Sequence, residues 1–339
     1  MRKMLYLIVH GILLLYGILK YAALGKNGVR GHRAMVYFFC RTGGGFNGWG
    51  SRLISSKWRP MALPSKTGLL GDMSSADGQK ALQQLEEKGF VTFEGALSPE
   101  VCDRLMQFAL STPAVVRPMD GEAKSLRPKI VLFDAREPQA VRYDYLVNDL
   151  LANRDVQLLL SDTSLLALAE MYLKARPRFD VLSMWWHTNF HSQPDSEAAQ
   201  FYHFDLDRLK WLKIFIYLTD VGPQDGPHSF IQGSHAPGGI PQKLLDRGYV
   251  RLSDAEVLSN YGSGKEIRFS APRGTIIVED TRGLHKGNPV FGKSRLILQM
   301  QLSNSLFGAV YPKSRLPAKM APELATMIRQ FRDVYQAYI

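Results

Sequence analysis

Cysteine is scarce in this chain: 339 residues contain only Cys40 and Cys102. That excludes a disulfide framework and a four-cysteine zinc site, so any chemistry rests on His, Asp, Arg and backbone groups. Acidic residues are missing altogether from positions 1–71, a stretch that carries eleven Lys and Arg. The rest of the chain balances 31 bases against 31 acids. The net charge of +11 therefore belongs to an N-terminal segment, and a nucleic-acid partner for the main body has no electrostatic footing. With 45% apolar and 22% charged residues, the composition excludes a disordered chain, a collagen-like repeat and a polytopic membrane protein. No internal repeat is visible.

What is present first is an apolar run, MLYLIVHGILLLYGILKYAALG, at 4–25. A helix over Met4–Leu24 would be about 31 Å long, enough for a hydrocarbon core of roughly 30 Å. Lys3, His10 and Gly17 recur every seven residues with Lys20 beside them, a stripe that also suits a helix lying in the interface or packed on protein. Three readings stay open: a signal or interfacial anchor, a cleaved signal peptide with a poor site at Ala23-Leu24-Gly25, or a helix buried against the main domain. Membrane attachment through residues 4–24 is the expectation. Nine bases from Lys20 to Lys66 against two before them put the body on the cytoplasmic side, which suits retained thiols. Residues 26–74, with TGGGFNGWGS and WRPMALPSKTG, read as a basic Gly/Pro-rich linker without a site.

A folded domain is expected over 75–320, followed by a C-terminal helix over 321–339. ALQQLEEK (81–88) predicts a helix stopped by Gly89, and FVTF (90–93) a strand. Ser98-Pro99-Glu100 supplies an N-cap, a proline at the first helical position and an acid in the first turn. Helices are also expected near 143–152 and 165–174. From Arg178 the period changes: FDVLSMWW, AQFYHFDL, KWLKIFIYLTDV, KEIRFSA, GTIIVED and SRLILQMQLS are short runs separated by turn residues. That spacing argues a mainly β sandwich or barrel with flanking helices, an α+β arrangement.

Within AQFYHFDLD a strand sends His203 and Asp205 to one face, with Phe204 and Leu206 on the other. His-x-Asp alone is weak; a hydrogen-bonded pair at a strand end reads equally well. The signal sharpens at His285, just after GTIIVED, with Arg295 ten residues later at the start of SRLILQMQL. Two His and one carboxylate make the facial triad of non-haem Fe(II) oxygenases. A guanidinium on the next strand suits bidentate capture of a carboxylate. His228 and His235 are expected in turns on backbone partners, and His187 and His191 have zincin spacing without the Glu. GSGK (262–265) lacks the upstream Gly of a P-loop, so ATP binding is rejected.

At this point the chain resembles the phytanoyl-CoA dioxygenase-like family of Fe(II)/2-oxoglutarate-dependent oxygenases. The resemblance rests on LEEKGFVTFEGALSPEVCDRL, FYHFDLDRLKWLKIFIYLTDV, DGPHSFIQGSH and DTRGLHKG followed by Arg295, in that order over about residues 80–305. It implies a double-stranded β-helix (jelly roll, cupin-like) core, iron on His203, Asp205 and His285, and the 2-oxoglutarate C5 carboxylate on Arg295. Some members place a hydroxyl residue two after the distal histidine; here Gly287 stands there, so Lys213 or Tyr217 on the strand at 211–218 becomes the candidate second cofactor-binding contact. A buried Lys213 could instead answer Asp207 or another acid.

The activity implied is oxidative decarboxylation of 2-oxoglutarate with O2 to succinate and CO2, coupled to hydroxylation of a substrate. Asp205 argues against the related halogenases, which carry a small residue there. The substrate expected is a small molecule, with a lipid, acyl chain, or lipid-linked or envelope saccharide suggested by the anchor. Arg127, Lys129, Arg142 and Tyr145 are candidate substrate contacts. Two rivals remain: a silent jelly-roll binding module, and a cupin-type isomerase or epimerase that does not use 2-oxoglutarate.

Overall fold

The alternation of apolar and polar residues along the strands decides which layer each side chain joins. The computed structural model describes residues 2–119, 121 and 128–338. In chain order its elements are α1 (Arg2–Leu24), α2 (Gly28–Thr42), α3 (Gly45–Ser55), β1 (Thr67–Gly68), β2 (Gly71–Asp72), α4 (Ala76–Lys88), β3 (Phe90–Phe93), α5 (Pro99–Ser111), β4 (Ala114–Val116), β5 (Ile130–Val131) and β6 (Arg142–Asp144). There follow α6 (Val147–Ala152), α7 (Arg154–Leu160), α8 (Thr163–Leu173), β7 (Arg178–His187), β8 (Trp211–Tyr217), β9 (His228–Ile231), α9 (Gln242–Leu245) and α10 (Asp254–Tyr261). The last are β10 (Glu266–Phe269), β11 (Ile276–Glu279), β12 (His285–Gly287), β13 (Arg295–Ser303) and α11 (Pro322–Gln330).

An eight-stranded sheet runs β3-β11-β8-β13-β7-β6-β4-β5, and a three-stranded sheet β10-β9-β12 faces it. Neighbouring strands pair antiparallel throughout. With helices on the outer face of the large sheet, this is the expected α+β jelly roll. On β13, Leu296, Leu298, Met300 and Leu302 enter the main apolar core with α4, α5, α7 and α8, while Arg295, Ile297 and Gln299 face the interior cavity. On β8, Leu212, Ile214 and Ile216 do the same, leaving Lys213 and Phe215 inside. A period of two on a sheet with one face under helices and one on a cavity permits nothing else.

Helix starts follow their caps. Ser98 accepts from the Val101 amide with Pro99 at the first helical position, and Ser75 caps α4 by accepting from Gly78. Gly89, in the left-handed region at φ 89°, ends α4 as expected.

Three expectations change. Residues 26–74 are not a plain linker: they hold α2, α3 and the β1–β2 ribbon. MVYFFC supplies a helical apolar face, with Phe39 stacked on Phe204 at 5.7 Å, and Gly43 and Gly44 take positive φ (57° and 83°) between the two helices rather than loosening the chain. Of the helix expected near 143–152 only Val147–Ala152 forms, because Arg142–Asp144 pairs with β7. AQFYHFDL is extended but joins its neighbours only through the single bridges Tyr202–Leu252 and His203–His285.

Candidate metal centre

The bridge between His203 and His285 builds the site. His203 N–H donates to the His285 carbonyl at 3.0 Å and His285 N–H returns to His203 at 2.9 Å, which brings the two imidazoles to 4.3 Å between centroids. Asp205 N–H donates to Thr281, two residues along, fixing the carboxylate on the same face. Tyr202, Phe204 and Leu206 point the other way into an apolar cluster with Leu252 and Leu284, as the alternation predicts.

The tautomers follow from backbone acceptors. His203 Nδ1 lies 2.9 Å from the Phe201 carbonyl and His285 Nδ1 3.0 Å from the Gly283 carbonyl. A carbonyl can only accept, so Nδ1 of each ring carries a proton and Nε2 is the nitrogen turned toward Asp205. Those nitrogens lie 3.8 and 3.3 Å from the Asp205 oxygens, and all three donor atoms fall within 4.8 Å of one another. Burial, then the neighbouring His285, hold the His203 imidazole well below its ordinary range. Burial alone would raise Asp205, but the Lys213 ammonium at 2.5 Å, with the two histidines, keeps its carboxyl well below the usual range. Three metal-ligating side chains thus converge in a buried place within reach of a single divalent cation. Two imidazoles and one carboxylate on one side, with open positions opposite, suit Fe(II).

The donors face a cavity of about 400 Å³ walled by Trp185, Phe215 and Ile297. Arg295 enters it from β13, in register with His187 on β7, which in turn pairs with Arg142 on β6. The Arg295 guanidinium donates to the Gly226 carbonyl and to His187 Nδ1 at 2.8 Å, while its Nε has no partner. Among the described residues no carboxylate pairs with it, although its side chain is 1% exposed. Burial accordingly pushes its pKa down. An uncompensated buried charge is costly, and an anion in the cavity removes the cost.

The other expected contacts are placed differently. Lys213 lines the cavity but holds Asp205, with Asp207 at 3.8 Å, which is the acid-pairing alternative. Tyr217 sits beside Arg295, but its hydroxyl donates to Phe269 and accepts from the His228 amide. A Cβ at Gly287 would lie 3.4 Å from Arg295 Nη2, so the missing hydroxyl has a place and no occupant. Of the candidate substrate contacts, Arg142 lines the cavity, sharing Asp144 with Arg117 and lying 4.5 Å over the Trp185 ring. The Tyr145 hydroxyl donates to Ala109, Lys129 bonds Gln139, and Arg127 lies outside the described residues.

His228 departs from its expected turn: it is buried in β9 with Nε2 2.8 Å from Glu279 Oε2. Burial raises Glu279 to about 8 and lowers His228 to about 3, so a protonated carboxyl donates to a neutral imidazole. His235 does bond backbone, at Glu86. Sequence reasoning passed over Glu279 and weighed His187 only for its zincin spacing with His191. The one signal for Glu279 was an acid closing the run Ile276-Ile277-Val278; for His187 only the strand register reveals the neighbour.

The phytanoyl-CoA dioxygenase (PhyH) family model matches residues 85–295. Curated proteins yield no match. Among solved structures, HygX from Streptomyces hygroscopicus with nickel and 2-oxoglutarate bound is 16% identical over 72% of this chain and 92% of its own, with a TM-score of 0.48. EctD from S. alaskensis is 17% identical over 78% and 92%, TM-score 0.48. The non-heme alpha ketoglutarate dependent epimerase SnoN from nogalamycin biosynthesis is 14% identical over 68% and 83%, TM-score 0.45.

Proposed function

The chain belongs to the phytanoyl-CoA dioxygenase family of Fe(II)- and 2-oxoglutarate-dependent enzymes that use O2, and from that premise we propose that it hydroxylates a lipid, acyl or lipid-linked saccharide substrate at a membrane. In this reading His203, Asp205 and His285 hold the iron and Arg295 receives the C5 carboxylate of 2-oxoglutarate. The observation that carries it is the pairing, in one cavity, of a three-donor cluster with a buried guanidinium that has no carboxylate partner among the described residues. A silent binding module has no use for that uncompensated charge, and a metal isomerase that ignores 2-oxoglutarate would leave it unanswered.

Bound iron supplies the coordination sites at which 2-oxoglutarate and O2 react. The residues of the chain do the rest. The Phe201 and Gly283 carbonyls hold the two imidazoles with Nε2 forward, and Lys213 holds the Asp205 carboxylate ionised and oriented. Trp185, Phe215 and Ile297 form the apolar part of a cavity wall that is otherwise polar and charged.

Two observations support the substrate class. Arg117 and Arg142 share one carboxylate, and Arg251 enters no described ion pair, so the cavity wall has cationic character suited to a phosphate- or carboxylate-bearing substrate. Tyr311 is common to this cavity and to a second of about 300 Å³ bounded by Leu24, Gly25, Lys26 and Asn27, where α1 ends. The apolar helix thus ends beside a flank of the site. Attachment of the body to the cytoplasmic face of a membrane belongs to the same proposal.

The test is anaerobic loading of the full chain with Fe(II), 2-oxoglutarate binding, then O2 and measurement of succinate, beside a His203→Ala/Asp205→Ala variant. Metal-dependent binding and succinate lost in the variant support the reading; no iron-dependent binding returns the silent module. With a turned-over substrate, a product one oxygen atom heavier identifies hydroxylation, whereas an unchanged mass identifies isomerisation.

A further inference from the structure

The apolar N-terminal helix does not stand away from the body. α1 and α2 form an antiparallel hairpin: His10 stacks on Tyr37 at 4.0 Å, and Gly17 meets Gly31 so closely that a Cβ on either would come within 2.9 Å of the other's Cα. α2 is bonded to the body at both ends. His32 Nε2 donates to the Leu206 carbonyl at 2.8 Å, and Gly238 N–H donates to Gly43 at 2.8 Å. α1 also touches the body itself. The Tyr21 hydroxyl accepts from Leu306 N–H at 3.0 Å, and its ring meets Phe307 edge-on at 5.6 Å. Asn27, just past α1, both donates to and accepts from the Gly308 backbone at 2.9 Å. From His10 to Leu24, then, the helix runs alongside the domain.

Its outer face is uncovered. Ile8, Ile12, Leu15 and Leu19, at helical spacing, are 51%, 63%, 59% and 61% exposed. Only 11% of the most apolar part of Met4–Leu24 is buried, against 72% for the less apolar Arg154–Leu173 of the core. The neighbouring helices present Arg30, Arg33, Arg41 and Arg52 to solvent, and among the described residues none of the bases before position 72 enters an ion pair.

A helix can cross a bilayer only with apolar surroundings, but α1 has along one side a helix with exposed arginines. To cross, it would have to strip from α2 and Phe307 or carry the arginines of α2 into hydrocarbon with it. Lying flat, it buries only the uncovered stripe and brings unpaired bases to headgroup level. A second copy on the same face would set like charges against each other. We propose that α1, α2 and α3 form a monotopic face that seats on an anionic lipid surface, with α1 in the membrane plane and its N-terminal end on the same side as the catalytic cavity. This rests on the membrane reading above and replaces a crossing anchor with an in-plane one.

The test uses the full chain with an epitope ahead of Met1, mixed with vesicles of phosphatidylcholine alone or with phosphatidylserine. Flotation is measured, then protease is added outside. The expected result is flotation with phosphatidylserine vesicles only, weakened about tenfold by high salt, and an epitope that protease removes. Ile12→Glu/Leu15→Glu is expected to abolish flotation while succinate formation stays within about twofold of wild type, because no cavity residue is touched. Flotation with a protected epitope overturns the in-plane seating and leaves the membrane reading standing. No flotation, with a chain that self-associates through this face and still forms succinate, overturns both while the dioxygenase chemistry stands. The composition and protease arms use the wild-type chain, so they decide the matter even if the variant misfolds.

Discussion

Replacing Arg295 by Gln separates the cofactor role of this residue from its role in folding. The guanidinium is 1% exposed, donates to Gly226 and His187, and has no acidic partner among the described residues. If 2-oxoglutarate is that partner, removing one member of a buried, charge-assisted pair costs about 2–5 kcal/mol of binding, or roughly 30- to 4,000-fold in Kd. Folding should respond in the opposite sense. Two acceptors lose their donor, costing about 1–3 kcal/mol each at most, but a buried charge without a counter-ion disappears, which returns several kcal/mol of desolvation. The cofactor-free variant is thus expected to be no less stable than wild type. Calorimetric titration of the Ni(II)-loaded chain with 2-oxoglutarate, beside urea unfolding of the metal-free chain, reads both quantities. A 2-oxoglutarate Kd within threefold of wild type, with Ni(II) still bound, would refute the assignment. Arg295→Lys should fall between, keeping the charge and losing the fork.

Gly287→Ser should fold normally, since its Cβ would lie 3.4 Å from Arg295 Nη2 and 3.5 Å from His187 and the glycine φ is not positive; a hydroxyl there adds about 1–2 kcal/mol to 2-oxoglutarate binding, read as a lower KM. Glu279 gives a pH signature in the metal-free chain: its carboxyl is raised from 4.5 to about 8, so the native state keeps a proton that the unfolded chain releases. That contribution to stability is present below about pH 4.5 and lost as pH rises to about 8. Glu279→Gln should remove this fall in urea midpoints, and an unchanged slope would disprove it. Arg208→Met breaks the buried ion pair with Asp180 (side chains 4% and 0% exposed) and leaves its carboxylate with only the Ser303 hydroxyl as a partner, a loss of about 3–5 kcal/mol; a loss under 1 kcal/mol by denaturant titration would contradict the geometry.

Local rules and period-two alternation made much of this protein legible before any coordinates. The Ser98-Pro99 start, the stop at Gly89, the inward face of β13 and the grouping of His203, Asp205 and His285 all depend on residues near in sequence, or on motifs whose order alone is informative. Tertiary packing decided the rest. His187 reaches Arg295 because β7 and β13 pair in one register, and Glu279 reaches His228 across two sheets, relations that no spacing within a single strand encodes. Lys213 turned to Asp205 because two buried opposite charges in reach of one another must pair. The glycines of residues 26–74 read as looseness in one dimension, yet Gly31 admits a helix at contact distance and Gly43 and Gly44 turn the chain between α2 and α3. What a glycine does depends on what lies against it, and that is set only when the chain has folded.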